Sequence, residues 1–272
     1  MSATRIGIVG IGGRMGLAMA REIAATRGAA VLGGGSERPG SALLGQDPGL
    51  LAGTGATGLK ITDDAATLFA SVDAVLDFSV PAALAGHAAL AAKTGTAYVV
   101  GITGLEPEHF ETLHAAAKSC AIVQSFNMSL GVNILAGLTR QVAAALGEDW
   151  DIEIVEMHHR MKVDAPSGTA ILLGEQAAQG RGVKLDGVAD RGRDGITGAR
   201  KAGHIGFAAL RGGNVAGEHT VMFAADNERI ELTHKATDRS IFARGAVRAA
   251  IWAHGKPAGL YDMNDVLGLA KG

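Results

Sequence analysis

The segment that most narrows the possible folds is Ile6-Gly7-Ile8-Val9 running into Gly10-Ile11-Gly12-Gly13-Arg14-Met15-Gly16. A short apolar run ends in glycines, and Met15, Leu17, Ala18, Met19 and Ile23 follow at mainly helical spacing. The pattern predicts strand, tight turn and helix. Glycine permits such a turn and lets backbone N–H groups approach a pyrophosphate, whose charge the helix N-terminus favours. Met15 stands where a strict G-x-G-x-x-G would need its last glycine, so the spacing fits G-x-x-G-x-x-G through Gly10, Gly13 and Gly16. A ligand-free turn could show the same spacing; its place after the first strand of a βαβ unit favours a dinucleotide.

The alternation recurs. Ala30-Val31-Leu32, a helix near 63–70, Ala74-Val75-Leu76, a helix after Pro81, Tyr98-Val99-Val100, a helix after Pro107 and Ala121-Ile122-Val123 follow in order. Strands alternating with helices predict an α/β fold, a Rossmann-like doubly wound parallel sheet. After a helix over 131–146 the texture changes. Residues 151–158, 205–210, 218–225 and 229–235 alternate or read as half-buried strands, with one strong helix between them starting near Gly168. These predict a second, α+β domain with a mixed sheet. The glycine-rich, charged stretch 180–203 reads as a long surface loop, and a last helix over 241–253 precedes a polar tail.

Composition removes several function classes. Hydrophobic residues make up 47% and charged ones 19% of 272 residues, as in an ordinary globular protein. The 40 glycines are about twice the usual ~7%, but they show no three-residue period and only six prolines accompany them, which excludes collagen. A net charge of -2 gives no long-range pull toward nucleic acid or an anionic membrane, so neither is an expected partner. The single cysteine, Cys120, cannot form an internal disulfide, fits a reducing compartment and reads as a core residue in an apolar strand. The N-terminus enters the first strand without a signal-like stretch. The longest uncharged run, 119–139, is broken by Gln124, Asn127, Ser129 and Asn133. The expectation is a cytoplasmic protein without a membrane span.

The second strand ends in Gly33-Gly34-Gly35-Ser36-Glu37-Arg38, an acid about 20 residues beyond the turn. Glu37 suits the ribose hydroxyls of NAD and Arg38 the 2′-phosphate of NADP, so the preference between NADH and NADPH stays open. Arg14 is either a phosphate contact or a surface charge. Asp77-Phe78-Ser79 and Gly101-Ile102-Thr103-Gly104 follow later strands and should border the cofactor at their carboxyl ends. Capping or turn formation would equally explain Asp77 and Thr103.

The densest chemistry is Glu156-Met157-His158-His159-Arg160-Met161-Lys162-Val163-Asp164-Ala165-Pro166-Ser167-Gly168-Thr169. Its cations precede a helix start, where Ser167, Gly168 and Thr169 offer hydroxyls and backbone N–H groups, and together they imply a carboxylate or phosphate substrate. His158 can act as a general acid because imidazole titrates near working pH, while Lys162 remains a charged donor unless desolvated. Adjacent histidines on a strand point to opposite faces, so one faces the reaction. No cysteine lies nearby and the His pair lacks helical i, i+4 spacing, so no metal is expected.

This segment resembles the signature E-x-H-H-x-x-K-x-D-A-P-S-G-T-A of the 4-hydroxy-tetrahydrodipicolinate reductase (dihydrodipicolinate reductase) family. Residues 10–16, 101–104, 127–133, 207–217 and Glu218-His219-Thr220 also look like family counterparts, so the resemblance spans essentially the whole chain. It implies a dinucleotide-binding domain of 1–130 and 240–272 and a substrate-binding and oligomerisation domain of 131–239 in a homotetramer. It implies His158 as proton donor with Lys162 as catalytic partner, His159, Ser167, Gly168 and Thr169 as substrate ligands, and Ser125, Asn127 and Met128 among the cofactor contacts. Met161 departs from members with a third histidine there. The implied reaction uses NADH or NADPH: hydride passes to a cyclic imine dicarboxylate, formed as the hydroxylated substrate loses water, and the adjacent carbon is protonated. Two rivals are another two-domain dehydrogenase of amino-acid metabolism, of the aspartate-semialdehyde or homoserine type, and a non-catalytic nucleotide-sensing regulator.

Overall fold

In the computed structural model, which describes residues 2–269, the glycine turn joins β1 (Thr4–Val9) to α1 (Arg14–Ala24). Then come β2 (Ala30–Ser36), α2 (Pro48–Ala52), α3 (Ala65–Ser71), β3 (Ala74–Asp77), α4 (Pro81–Thr94), β4 (Ala97–Val100), α5 (Pro107–Ala116) and β5 (Ala121–Gln124). The middle of the chain forms α6 (Leu130–Ala145), β6 (Asp151–His158), α7 (Gly168–Gly180), β7 (Ala189–Asp190), β8 (Ile205–Arg211), β9 (Gly217–Ala224) and β10 (Arg229–Ala236). It closes with α8 (Ser240–Ala253), β11 (Gly259–Tyr261) and α9 (Met263–Leu267). Residues up to Leu130, with those from Ser240 on, form one compact unit, and Gly131–Arg239 form a second.

The first unit holds a parallel sheet in the order β11-β5-β4-β3-β1-β2. Strands β3 and β4 are buried along their whole length, as parallel strands covered on both faces must be. Ile6, Ile8, Leu76, Val99 and Val123 meet Met19 and Ile23 of α1 and Ala246 and Ala250 of α8. On the opposite face Val75, Tyr98, Val100 and Ile122 pack with Leu68, Leu84 and Leu113 from α3, α4 and α5. The chain leaves β1 for β2 on one side and β3 on the other, and that reversal opens a crevice at the strands' carboxyl ends.

The glycine run of β2 serves packing here. A Cβ on Gly33, Gly34 or Gly35 would lie 2.7 Å from Val72, 2.7 Å from Leu68 or 2.5 Å from Ile11, so the bare strand admits its neighbours' side chains. The stretch after residue 253 is no polar tail: β11 extends the sheet beside β5 and α9 buries Met263 and Val266. Cys120 precedes β5 instead of lying within it, and it is buried.

The second unit holds a mixed sheet, β10-β9-β6-β8-β7, with β6 parallel to β8 and antiparallel to β9. Its inner residues Ile152, Ile154, Ile205, Phe207, Val221 and Phe223 pack with Leu135, Ala136 and Ala143 of α6 and Ala170, Leu173 and Ala177 of α7. The 180–203 stretch is not wholly loop. It contains a 3-10 turn at Leu185–Gly187 and places β7 on the sheet edge. Arg193 is bidentate on Glu153 at 2.9 and 2.8 Å, while Arg200 reaches Asp151 at 2.6 Å and Glu153 at 2.9 Å. No helix among the described residues is long and apolar enough to cross a membrane.

Candidate active site

In the first unit the glycine turn is shaped for close backbone approach. Gly10 has φ +67°, and a Cβ on Gly16 would lie 2.5 Å from the carbonyl oxygens of both Gly10 and Ile11. Helix α1 therefore seats directly on the turn. Gly13 is its N-cap, Arg14 is exposed, and no acid stands in its first turn to offset the positive end of the helix. Glu37, half-buried at the end of β2, accepts from the Gly12 N–H through Oε1 at 2.7 Å, while Arg38 beside it is exposed. Met15 is half-buried against the core.

Phe78 and Gly101 meet: the ring of Phe78 lies so close that a Cβ on Gly101 would be 2.3 Å from it. Thr103 is exposed and Ser125 half-buried. Three expected cofactor contacts are turned to other work. The Asp77 carboxylate is buried and accepts from Ser79 N–H at 2.9 Å, Ser79 Oγ at 2.6 Å, His87 Nδ1 at 2.7 Å and Tyr98 Oη at 2.6 Å. Burial alone would raise its carboxyl, but the His87, Ser79 and Tyr98 partners outweigh it and hold the group below the ordinary carboxylate range. The Met128 side chain is core, and Asn127 Oδ1 accepts from the Ser129 N–H at 2.8 Å. A ligand contact at Asp77 or Met128 is thereby left to the backbone.

In the second unit the strand register builds the site. Phe207, Ile154, Val221 and Leu232 form one row across the inner face, and the next row is Ala209, Glu156, His219 and His234. Arg211 then pairs with His158. The apolar face thus turns polar over one step of two residues, at the end where α7 begins. Glu156, 1% exposed, is the centre of the polar end. It accepts His158 Nδ1 at 2.6 Å, Arg211 Nη1 and Nη2 at 2.8 Å each, and the Ser167 N–H at 3.1 Å. Burial would raise its carboxyl, and Arg211 and His158 together hold it down.

Ser167 caps α7 by accepting the Ala170 N–H at 3.1 Å, and its Oγ lies 3.0 Å from His219 Nε2. Its own backbone N–H is taken by Glu156, so of its two expected anion contacts only the hydroxyl, already shared with Ala170 and His219, is not held by that carboxylate. His219 stands edge-on to His158 with ring centroids 5.1 Å apart, and burial first, then the His158 ring, lower it to about 4. Gly217 leaves room beside His158, since a Cβ there would lie 3.0 Å from Nε2.

Strand β6 ends at His158, so the two histidines do not share a strand. His159 turns into the following segment and donates its N–H to the Val215 carbonyl at 2.8 Å. Lys162 Nζ binds the Asp164 carboxylate at 2.7 and 2.8 Å, and Arg211 Nη2 donates to the Asp164 carbonyl at 2.6 Å. Gly168 is exposed at the helix start, with Thr169 half-buried after it. Among the described residues no group of three or more His, Cys, Asp or Glu could hold a metal ion.

Glu156, Arg211 and His219 lie inside the motifs read from the sequence, which gave none of them a role in the site. The period-two burial of β6 was the available signal for Glu156, which shares a face with Ile152 and Ile154.

Comparison with known proteins gives the same answer along the chain. The family models "Dihydrodipicolinate reductase, N-terminus" and "Dihydrodipicolinate reductase, C-terminus" match residues 4–128 and 131–267. A 4-hydroxy-tetrahydrodipicolinate reductase of Rhodopseudomonas palustris (strain HaA2) is 58% identical, covering 100% of both chains. One from Bradyrhizobium diazoefficiens is 54% identical, covering 99% of each. Among solved structures, a dipicolinate-bound dihydrodipicolinate reductase from Paenisporosarcina sp. TG-14 matches with TM-score 0.75 at 20% identity, over 96% of this chain and 97% of that one. With matching models over both halves and relatives this similar over the full length, the chain belongs to the dihydrodipicolinate reductase family.

Proposed function

We propose that the protein reduces 4-hydroxy-tetrahydrodipicolinate, by way of dihydrodipicolinate, to tetrahydrodipicolinate with NADH or NADPH, in the diaminopimelate route of lysine biosynthesis. The observation that carries the reading is His158 anchored through Nδ1 on buried Glu156, which also holds the start of α7, with Lys162 four residues on in the chain. That anchoring leaves Nε2 as the nitrogen free to work. His158 protonates the ring carbon next to the one that receives hydride. Lys162 moves from Asp164 to the substrate, where it stabilises the negative charge that develops before protonation. His159, the Ser167 hydroxyl and the N–H groups of Gly168 and Thr169 hold the carboxylates at the positive end of α7.

The residues of the first unit fit a dinucleotide, because the turn that Gly10 makes at φ +67° leads to the acid-free N-terminus of α1, with Glu37 at the end of β2 beside it. When bound, the dihydronicotinamide supplies the hydride. Gly10, Gly12, Gly13, Arg14, Met15 and Gly16 would hold the pyrophosphate, Glu37 and Arg38 the adenosine ribose, and Phe78, Gly101, Thr103, Ser125 and Asn127 would border the rest. Glu37 keeps one carboxylate oxygen for a ribose hydroxyl while the other holds Gly12, and exposed Arg38 can meet a 2′-phosphate. The geometry suits both cofactors.

The aspartate-semialdehyde type of chemistry, with its nucleophilic cysteine, is disfavoured because burial pushes the Cys120 thiol up to about 11. The same reading makes the enzyme a cytoplasmic homotetramer. Association between copies has its support in the partly exposed outer sheet face with Val155, Met157, Ala208, Leu210 and Met222, opposite the face that α6 and α7 cover.

The test is direct. Purified protein should oxidise NADH or NADPH only when given the product of dihydrodipicolinate synthase, and no absorbance loss from folded protein would defeat the reading. His158→Ala and Lys162→Ala should lower turnover far more than nucleotide affinity; the reverse pattern would overturn the roles.

A further inference from the structure

We infer that Glu156 and Arg211 are opposed positioning residues: Glu156 orients the His158 ring and strengthens its hold on a proton, and Arg211 weakens that hold. The inference rests on the reading of His158 as proton donor. A buried ion pair is weak evidence for stability, because desolvation cancels most of its attraction and an apolar pair of similar volume often serves as well. Glu156 occupies a position whose face is Ile154 and Ile152 one and two repeats of the pleat earlier, so packing alone would favour another apolar residue. The carboxylate instead accepts four donors from three residues: His158 on its own strand, the two nitrogens of the Arg211 fork from β8, and the Ser167 backbone at the cap of α7.

The charges make the pair directional. A carboxylate 2.6 Å from Nδ1 stabilises the imidazolium, and a guanidinium sharing that carboxylate at 2.8 Å offsets it. His219 approaches from β9, and Lys162 in the following segment is paired with Asp164. Arg211 also grips the Asp164 carbonyl, so it links the proton donor to the segment that carries Lys162.

The experiment is an NMR titration of the His158 ring, assigned by the signal lost in His158→Asn, in the intact protein and three variants. Glu156→Gln should move the midpoint down by about one pH unit and Arg211→Gln should move it up by about as much. Arg211→Lys, which keeps the charge, should stay with the parent. If Glu156→Gln does not fold, the two variants of partly exposed Arg211 decide. A purely structural pair would leave the midpoints unmoved or shift them the same way, and either result overturns the inference. The falling limb of turnover against pH is read in the same proteins. If ring midpoints move in opposite directions while that limb stays put, the positioning inference stands and the proton-donor reading falls.

Discussion

Asp77 was expected at the cofactor, yet its carboxylate faces into the fold, and replacing it separates those two roles. In Asp77→Ala the hydroxyl of fully buried Tyr98, the His87 ring and the Ser79 N–H and hydroxyl lose their acceptor together. Each hydrogen bond to a charged group is worth about 1.5–3 kcal/mol. Partial relaxation at the exposed end of the loop should bring the total toward the ~3–5 kcal/mol seen when one partner of a buried charge pair is removed. At roughly 2–4 °C per kcal/mol, thermal unfolding should fall by about 10 °C. Asp77→Asn keeps the shape and one acceptor oxygen, so it should cost less, about 1–2 kcal/mol. The depressed carboxyl fixes the sign with pH. Its stabilisation is fully present above the unfolded-state value and is lost as pH falls through the lower folded-state value, so parent and Asp77→Asn should converge in acid. The assays are thermal melts from neutral to acidic pH and nucleotide titration well below the melt. A variant with the parent's melting temperature and at least tenfold weaker nucleotide binding would show that the carboxylate contacts the cofactor, and would refute the reasoning.

Gly16→Ala places a methyl 2.5 Å from two carbonyl oxygens that cannot move without reshaping the turn. It should cost about 1–3 kcal/mol and weaken nucleotide binding at least tenfold, measured by denaturant unfolding and NADH fluorescence. Arg200→Ala removes one of the two arginines that hold the 189–204 segment, the one that reaches both Asp151 and Glu153, and leaves the Arg193 fork on Glu153. Limited proteolysis should then cut within that segment at a markedly higher rate, with turnover largely kept, and an unchanged cutting rate would show that the ion pairs do not order it.

The first unit was legible because the middle strands of its sheet, such as β3 and β4, are short continuous apolar runs, a signature that burial on both faces demands. What escaped notice was short or held from a distance. Strand β11 is three residues long, below any usable period, and it exists because Leu260 pairs with Ile122 of β5. Helix α2 is five residues, capped by Asp47, whose carboxylate also gathers Thr57 and Gly58 from across the loop. Helix α9 did carry a local sign, because Asp262 and Asp265 form a capping box ahead of buried Val266.

The site divides along the same line. His158, Lys162 and Ser167 sit within ten residues of one another, so the chemistry of that segment is visible without a fold. The groups that tune it are not local: Arg211 reaches Glu156 from 55 residues away and His219 meets Ser167 across 52. Alternation along β6 already says that Glu156 lies on the buried face, and a buried carboxylate demands a cation. Several cations follow it in sequence, however, including Arg160 and Lys162, and nothing local chooses among them. The choice is made by the register of β8, which sets Arg211 opposite His158 and one pleat beyond Ala209, the residue that pairs with Glu156. A slip of one residue would turn Arg211 to the outer face and leave the carboxylate uncompensated. The alternation of Ile205 and Phe207 along the same strand is therefore also what aims the guanidinium, and core packing in this sheet sets the charges around His158.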